Sequence, residues 1–470
     1  MDSDGVASSG RAVSADRPPT SGDMMSEPVT TATAPVARAD FGAWWMLAVL
    51  FSIYVFSFID RQITSMLVTD IKADLKITDF QMGLILGPAF AIVYAVFGIP
   101  MGWFADRLSR RWLIFVGACI FGLATFLSGH AGSFGVLLAA RIAVGVGEAS
   151  LTPAASSLLA ARFPRHLLTT AFSIYTMGVK IGTSGAYVIG GVMIASATYW
   201  ASATPILEGF RPWQLVFMAT GLPVVLLALL VFTFREPARP PRHTTAGSAG
   251  DSVFPYMWDR RRLFGPMLIG FSLVSLCNAS LVAWVPTYLT RNMDLGPQSY
   301  GPVLGGISFA AAFTLAFKGV VVDWLYRRGV KDAHLRFYTW LLASALPIVA
   351  LIFWVDNALI FMAMYGFLLI VATPIIAYIS AATALIAPPG MRGRITGVFL
   401  FCLNGIGVGI GPLLVGAITQ YVLRDEMKLA WSLGIVICTL MPLALVILRF
   451  ALKPFHEAVL EAEAREGLSA

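Results

Sequence analysis

The chain has 470 residues, 57% of them hydrophobic and 13% charged, with a net charge of +7 and a mean hydropathy of +0.77. A soluble protein of this size needs far more charge, so the composition excludes a soluble globule and points to a polytopic membrane protein. The positive balance is not a nucleic-acid footprint, because the basic residues gather in short loops between apolar runs.

Residues 1–40 are rich in Ser, Ala, Pro and Thr and hold no apolar core of a signal peptide. They read as a disordered cytoplasmic tail. About twelve apolar segments of spanning length follow. They run over 43–68, 80–104, 112–131, 134–160, 167–196, 213–234, 264–290, 300–325, 335–354, 358–386, 393–422 and 428–452. Trp44 and Trp45 open span 1 as an interfacial pair. Thr78-x-x-Gln81 has capping-box form and places the start of span 2. Most loop Lys and Arg fall after the even-numbered spans, which puts both termini in the cytoplasm of a plasma (inner) membrane protein.

The longest internal loop, 235–262, is rich in Pro, Arg, Gly and Ser and reads as a linker. It divides a six-span half at 41–234 from a second at 263–453, with a tail at 454–470. The halves look related. Gly102-x-x-x-Asp106-Arg107 with Arg110 and Arg111 follows span 2; Gly319-x-x-x-Asp323 with Arg327 and Arg328 follows span 8. Spans 5 and 11 are both glycine-rich, and proline recurs mid-span at Pro153 and Pro374. Paired halves joined by a basic linker predict an all-α alternating-access transporter with its site near the midplane.

Charge inside the spans marks that site. Arg141 and Glu148 lie seven residues apart in span 4, on one face and roughly 10 Å from each other. Charges at that depth face a bundle interior or a water-filled cavity. Counted along their helices, Asp60 lies roughly 24 Å above the inner face and Arg141 roughly 10 Å below the outer one. Across a core of about 30 Å these depths nearly meet, so Asp60 and Arg141 are expected to pair. A proton on Asp60 would release the arginine. Glu148 lies near the midplane, where it is the second candidate proton carrier; Arg61 is a charge partner or substrate contact. Lys180, mid-membrane in span 5, is expected to meet an anionic substrate or to pair with Glu148. Lys318, near the inner end of span 8, is expected to snorkel to the interface. Asn278, Trp284, Tyr365 and Tyr378 supply a polar–aromatic wall from the second half, which suits an amphipathic substrate. Gly102 and Asp106, with Arg107, Arg110, Arg111 and Asp323, form the expected cytoplasmic gate, with Asp106 set against the start of span 11 when that gate is shut.

Several absences bear on function. No Gly-x-x-x-x-Gly-Lys-[Ser/Thr] loop is present, and the glycine run at 405–411 lies inside an apolar span rather than after a strand. The five histidines form no metal-ligand pattern, and Cys119, Cys277, Cys402 and Cys438 read as small core residues. No nucleophile–base pair suggests an enzyme. No cofactor, metal or nucleic-acid partner is expected, and a monomer surrounded by membrane lipid is.

The chain resembles the major facilitator superfamily over about residues 43–452, with twelve transmembrane helices in two pseudo-symmetric six-helix bundles. Within that superfamily it looks like the spinster-type lipid transporters. The resemblance is carried by Asp60-Arg61, by the stretch from Ile71 to Leu84, by Asp106 to Arg111, by Arg141 to Pro153, by Phe163-Pro164 and by Ser173 to Gly178. It implies proton-linked alternating access, with Asp60, Arg141 and Glu148 at matching functional positions, and a lipid-like substrate such as a sphingoid or lysolipid. Two departures exist: Ala161 and Leu168 stand where spinster-type members often carry an Asp and an Arg. The anion:cation symporter branch shares a similar pattern in span 4, so an organic-anion:proton symporter is the alternative.

Overall fold

A computed structural model describes residues 40–203, 205–207, 209–237, 253–372, 375–388 and 391–465. The expected tail at 1–39, the middle of the linker, Thr373, Pro374, Pro389, Gly390 and residues 466–470 lie outside the described residues.

Every regular element among the described residues is helical. Among the described residues, twelve helices are long and apolar enough to cross a membrane. Spans 1 to 6 are Phe41–Met66, Asp79–Arg107, Arg110–Ser128, Phe134–Arg162, Thr170–Ala201 and Pro212–Thr233. Spans 7 to 12 are Arg261–Asn292, Pro297–Arg327, Ala333–Trp354, Ala358–Ile386, Arg392–Leu423 and Glu426–Ala464. With an even number of crossings, both ends of this array fall on one face, called here the terminal face; the opposite one is the far face.

Local chemistry sets the helix limits. Thr78 and Gln81 form the reciprocal capping box that starts span 2, with Gln81 N donating to Thr78 Oγ1 at 3.2 Å and Thr78 N to Gln81 Oε1 at 2.9 Å. Span 4 breaks between Glu148 and Leu151. Pro153 has no N–H to give the carbonyl of Ala149, so the ladder is interrupted beside the glutamate. Span 12 overruns its expected end. Residues 454–465 continue the helix, Phe455 and Val459 are buried, and Glu463 accepts hydrogen bonds from Lys331 Nζ and Tyr326 Oη. Of the cysteines, Cys277 is buried as core and Cys438 is exposed.

Spans 1–6 pack as one bundle and 7–12 as another, with the pairs 1–5, 3–6 and 7–12 in extensive contact. Between the bundles, span 5 packs on span 8 and span 2 on span 11. These contacts concentrate toward the far face. A Cβ on Gly87 would stand 2.5 Å from Gly409 O, and one on Gly301 2.4 Å from Tyr187 O. Only glycine permits such backbone approach. Toward the terminal face the same helices separate: a Cβ on Gly98 or Gly102 of span 2, or on Gly393 or Gly397 of span 11, would meet no atom within 4 Å.

An ion cluster locks the far face. Asp79, fully buried at the start of span 2, accepts two hydrogen bonds from Arg291 at the end of span 7, at 3.0 and 3.1 Å. Lys72 Nζ pairs with the same carboxylate and reaches Glu426 of span 12 at 2.7 Å. Arg291 also donates to Glu426 O at 2.9 Å. Two residues of each bundle are thereby tied together. Removing one partner of a buried pair costs about 3–5 kcal/mol, and each 1.4 kcal/mol is about tenfold in a conformational equilibrium. Arg291→Gln is therefore expected to populate a far-face-open state. A membrane-impermeant maleimide should label a cysteine placed at Ser65 faster in this variant than in its Arg291 parent. Equal labelling rates would remove the cluster from the gate.

Candidate functional site

The site grows from spans 1 and 4, which run antiparallel. On span 1, Ser57 and Arg61 share one helical edge, and Asp60 and Thr64 the next, each pair four residues apart. On span 4, Arg141 and Glu148 lie two turns apart on one face. Packing the two helices makes a ladder with two charged rungs. On the upper rung, Arg141 Nη1 donates to Asp60 Oδ2 at 2.8 Å and to Thr64 Oγ1 at 3.3 Å. Its Nη2 donates to Ser128 Oγ at 2.8 Å, and its guanidinium stands 4.6 Å from the Phe217 ring centre. On the lower rung, Glu148 Oε2 accepts from Ser57 Oγ at 2.8 Å, from Arg61 Nε at 3.1 Å and from Arg61 Nη2.

Three of these four charged residues are nearly sealed. Asp60 and Glu148 are 1% exposed and Arg141 3%. Arg61 differs, with 28% of its side chain exposed. It is held among the rings of Phe58, Phe90 and Tyr94, with the nearest centroid at 4.1 Å. Each carboxylate keeps one oxygen, Asp60 Oδ1 and Glu148 Oε1, without a hydrogen-bond partner.

The ladder borders a cavity of about 590 Å³ between the bundles. The first bundle lines it with Asp60, Arg61, Arg141 and Lys180 and with apolar rings such as Phe58 and Phe90. The second contributes Asn278, Ser308, Tyr365 and Asn404 among aliphatic residues. Glu148 is not part of the wall; it stands behind Arg61. The far-face contacts close this cavity on one side, and the separated ends of spans 2 and 11 leave it open toward the terminal face.

The model of the Major Facilitator Superfamily matches residues 50–412, which is most of the chain. The chain belongs to the major facilitator superfamily. It is a transporter rather than an enzyme, and alternating access is the general working mode of that superfamily. It is 27% identical over 395 residues to an MFS-type efflux pump of Mycolicibacterium smegmatis, covering 82% of this chain and 86% of that one. It is 26% identical over 274 residues to Protein spinster of Drosophila melanogaster, covering 57% of this chain and 42% of that one. The chain thus spans less than half the length of the fly protein. Its fold is that of a bacterial homolog to the human lysosomal transporter Spinster, in inward-facing and unoccupied conformation. The TM-score is 0.73 and the identity 24%, over 91% of this chain and 99% of that one.

For this superfamily member the sequence-derived candidates divide. Asp60, Arg61, Arg141, Lys180, Asn278 and Tyr365 converge on the cavity. Trp284 does not: it is fully buried, and its indole Nε1 donates to Pro412 O at 2.9 Å, bracing span 7 on span 11. Tyr378 also leaves the wall, packing against Tyr338 with centroids 5.4 Å apart. Lys180 forms no ion pair with Glu148, whose place is taken by Arg61. Lys318 does not snorkel. It is 5% exposed and donates to Ile370 O in span 10.

The expected gate segment has a different present use. Arg110 is buried and bonds Glu236, Ser157 and Pro237 O, while Arg111 donates to the carbonyls of Val231 and Phe232. Both anchor span 3 to the end of span 6 within one bundle rather than reaching span 11. Arg107 lies 3.8 Å over the Trp103 ring, Asp106 and Asp323 are exposed, and Gly102 faces open space. What sequence reading missed is the partnership of Ser57 and Arg61 with Glu148, and the far-face cluster. Ser57 and Arg61 carry a signal, the i,i+4 spacing beside Asp60; Arg291 and Asp79 are 212 residues apart and carry none.

Burial works against ionisation of Glu236, but hydrogen bonds from Ser109 and Arg110 outweigh it and hold this carboxyl below the usual glutamate range. A carboxylate depressed in the fold adds stability above its unfolded value, about 4.3, and loses it as pH falls through the lower folded value. The melting temperature of the wild type should therefore drop toward that of Glu236→Gln between about pH 5 and pH 3, whereas parallel melting curves would remove this pairing. Arg141→Met strands the Asp60 charge and should cost about 3–5 kcal/mol. Adding Asp60→Asn should recover part of that loss in thermal melts; no recovery would mean the two are not energetically coupled.

Proposed function

We propose that the protein is a proton-coupled secondary transporter of an amphipathic, lipid-like substrate, working as a monomer in the inner membrane with its terminal face toward the cytoplasm. The observation that carries this reading is the pair of buried carboxylates at the cavity, each clamped by an arginine through one oxygen with the other oxygen free. Isolated charge in a low-dielectric bundle is costly, so protonation of either acid must release or rearrange its arginine. A proton on Asp60 weakens its hold on Arg141. A proton on Glu148 frees Arg61, the most exposed of the ladder residues on the cavity wall, to contact a substrate. Proton occupancy and substrate occupancy are thereby linked through Arg61.

The wall supports the substrate class. Aromatic and aliphatic side chains dominate it, with polar groups confined to a few points, the pattern of a site that takes an apolar body and one polar head. The volume, about 590 Å³, suits a molecule of lipid-fragment size. Each chain encloses a complete cavity, which supports the monomer as the working unit. The terminal face carries the basic clusters around Arg107–Arg111, Arg260–Arg262 and Arg327–Arg328, which supports its cytoplasmic placement.

The test is transport in reconstituted vesicles. Wild-type protein should accumulate a sphingoid or lysolipid substrate against its gradient when a pH gradient is imposed. Asp60→Asn and Glu148→Gln should keep substrate exchange but lose at least about tenfold of the gradient-driven accumulation, the loss of a coupling free energy of 1.4 kcal/mol. Wild-type flux indifferent to the pH gradient would end the coupling reading. Competition by small hydrophilic sugar acids, and none by lipids, would transfer the protein to the organic-anion symporters.

A further inference from the structure

The two charged rungs neutralise each other, which leaves the lysines of spans 5 and 8. Lys180 lines the cavity and makes no ion pair or hydrogen bond among the described residues. Lys318 is buried, with only the carbonyl of Ile370 as partner. Leu369 and Ala372, on either side of Ile370, line the same cavity.

The two lysines stand on facing helices. Spans 5 and 8 run antiparallel across the bundle interface, with Gly301 against Tyr187 and Gly305 against Ser184. This register sets Lys180 level with Ser308, another wall residue, and Lys318 about 15 Å nearer the terminal face, from a rise of 1.5 Å per residue. Helical side chains lean toward their own N-terminus. Span 5 starts at the terminal face and span 8 at the far face, so the two long side chains lean toward one another, and their charges repel. Two positive charges, one from each bundle, thus stand on facing helices, and neither is in an ion pair among the described residues.

We infer that Lys180 and Lys318 form an anion subsite shared between the bundles that takes the acidic head of the amphipathic substrate. The inference rests on the transporter reading above and adds the sign of the headgroup. It also gives the headgroup a conformational task. Closing the terminal face brings spans 5 and 8 together, and with the site empty that motion presses two like charges into a low-dielectric space. A bound oxyanion turns the repulsion into a bridge, so closure proceeds with substrate in place.

The full-length protein in lipid nanodiscs allows the test, with octyl phosphate, octanoate, octylammonium and octyl glucoside as matched probes. Octyl phosphate should bind the wild type, octanoate more weakly because one charge faces two, and the cationic and neutral probes at least tenfold more weakly than octyl phosphate. Lys180→Gln and Lys318→Gln should each weaken octyl phosphate at least tenfold; the glutamine at 318 can still donate to Ile370 O, which protects the fold. Lys180→Arg should bind like wild type, and melting temperatures without probe should match. Spin labels at Thr170 and Arg328 should draw closer on adding octyl phosphate to the wild type and stay apart in Lys180→Gln. Equal binding of octyl phosphate by wild type and both Gln variants, or equal binding of octylammonium and octyl phosphate by the wild type, would overturn the subsite. Such a result together with intact pH-driven lipid accumulation would leave the transporter reading standing. Lysine-dependent binding without pH-driven transport would do the reverse.

Discussion

The antiparallel contact of spans 1 and 4 is the interaction on which the rest depends. Four ionisable side chains occupy the interior of a bundle that lies in hydrocarbon, where an unpaired charge is costly. Asp60 takes Arg141 and Glu148 takes Arg61, with Ser57, Thr64 and Ser128 filling further hydrogen-bond positions. The arrangement is neutral in sum but leaves an oxygen of each acid unused. A neutral pair is affordable in the membrane.

The bundles divide the work unequally. The first holds all four ladder charges, and the cavity wall of the second is built from amides, hydroxyls and apolar groups. Contact between them is graded along the membrane normal. Toward the far face, backbone meets backbone at glycines and four charged residues knit the ends of spans 2, 7 and 12. Toward the terminal face the helices part. The grading gives alternating access a physical form: far-face closure is held by contacts that must break, and terminal-face closure must create new ones. Arg110 and Arg111 meanwhile keep span 3 fixed to the end of span 6.

Helix ends and breaks connect this behaviour to single residues. Pro153 interrupts span 4 just over one turn from Glu148, and Lys318 of span 8 donates to the Ile370 carbonyl of span 10. Irregular backbone inside a membrane is tolerated where it lines a polar hollow, and here it borders one.

The sequence by itself determined the all-helical twelve-span fold, because spanning length and hydropathy are local properties that need no knowledge of neighbours. It also determined that Asp60 and Arg141 meet, since depth follows from counting residues along a straight helix. The capping box at Thr78 was legible for the same reason. Tertiary structure alone decided which way each helix is rotated and which side chains compete for a partner. That is why Arg61 rather than Lys180 or Arg141 holds Glu148, and why Trp284 and Tyr378 turn into the second bundle instead of the cavity. Lys318 had the length to reach the interface, but the Ile370 carbonyl on another helix offered a nearer partner. Asp79 and Arg291 lie 212 residues apart, and no local pattern records a contact that only the closing of two bundles creates.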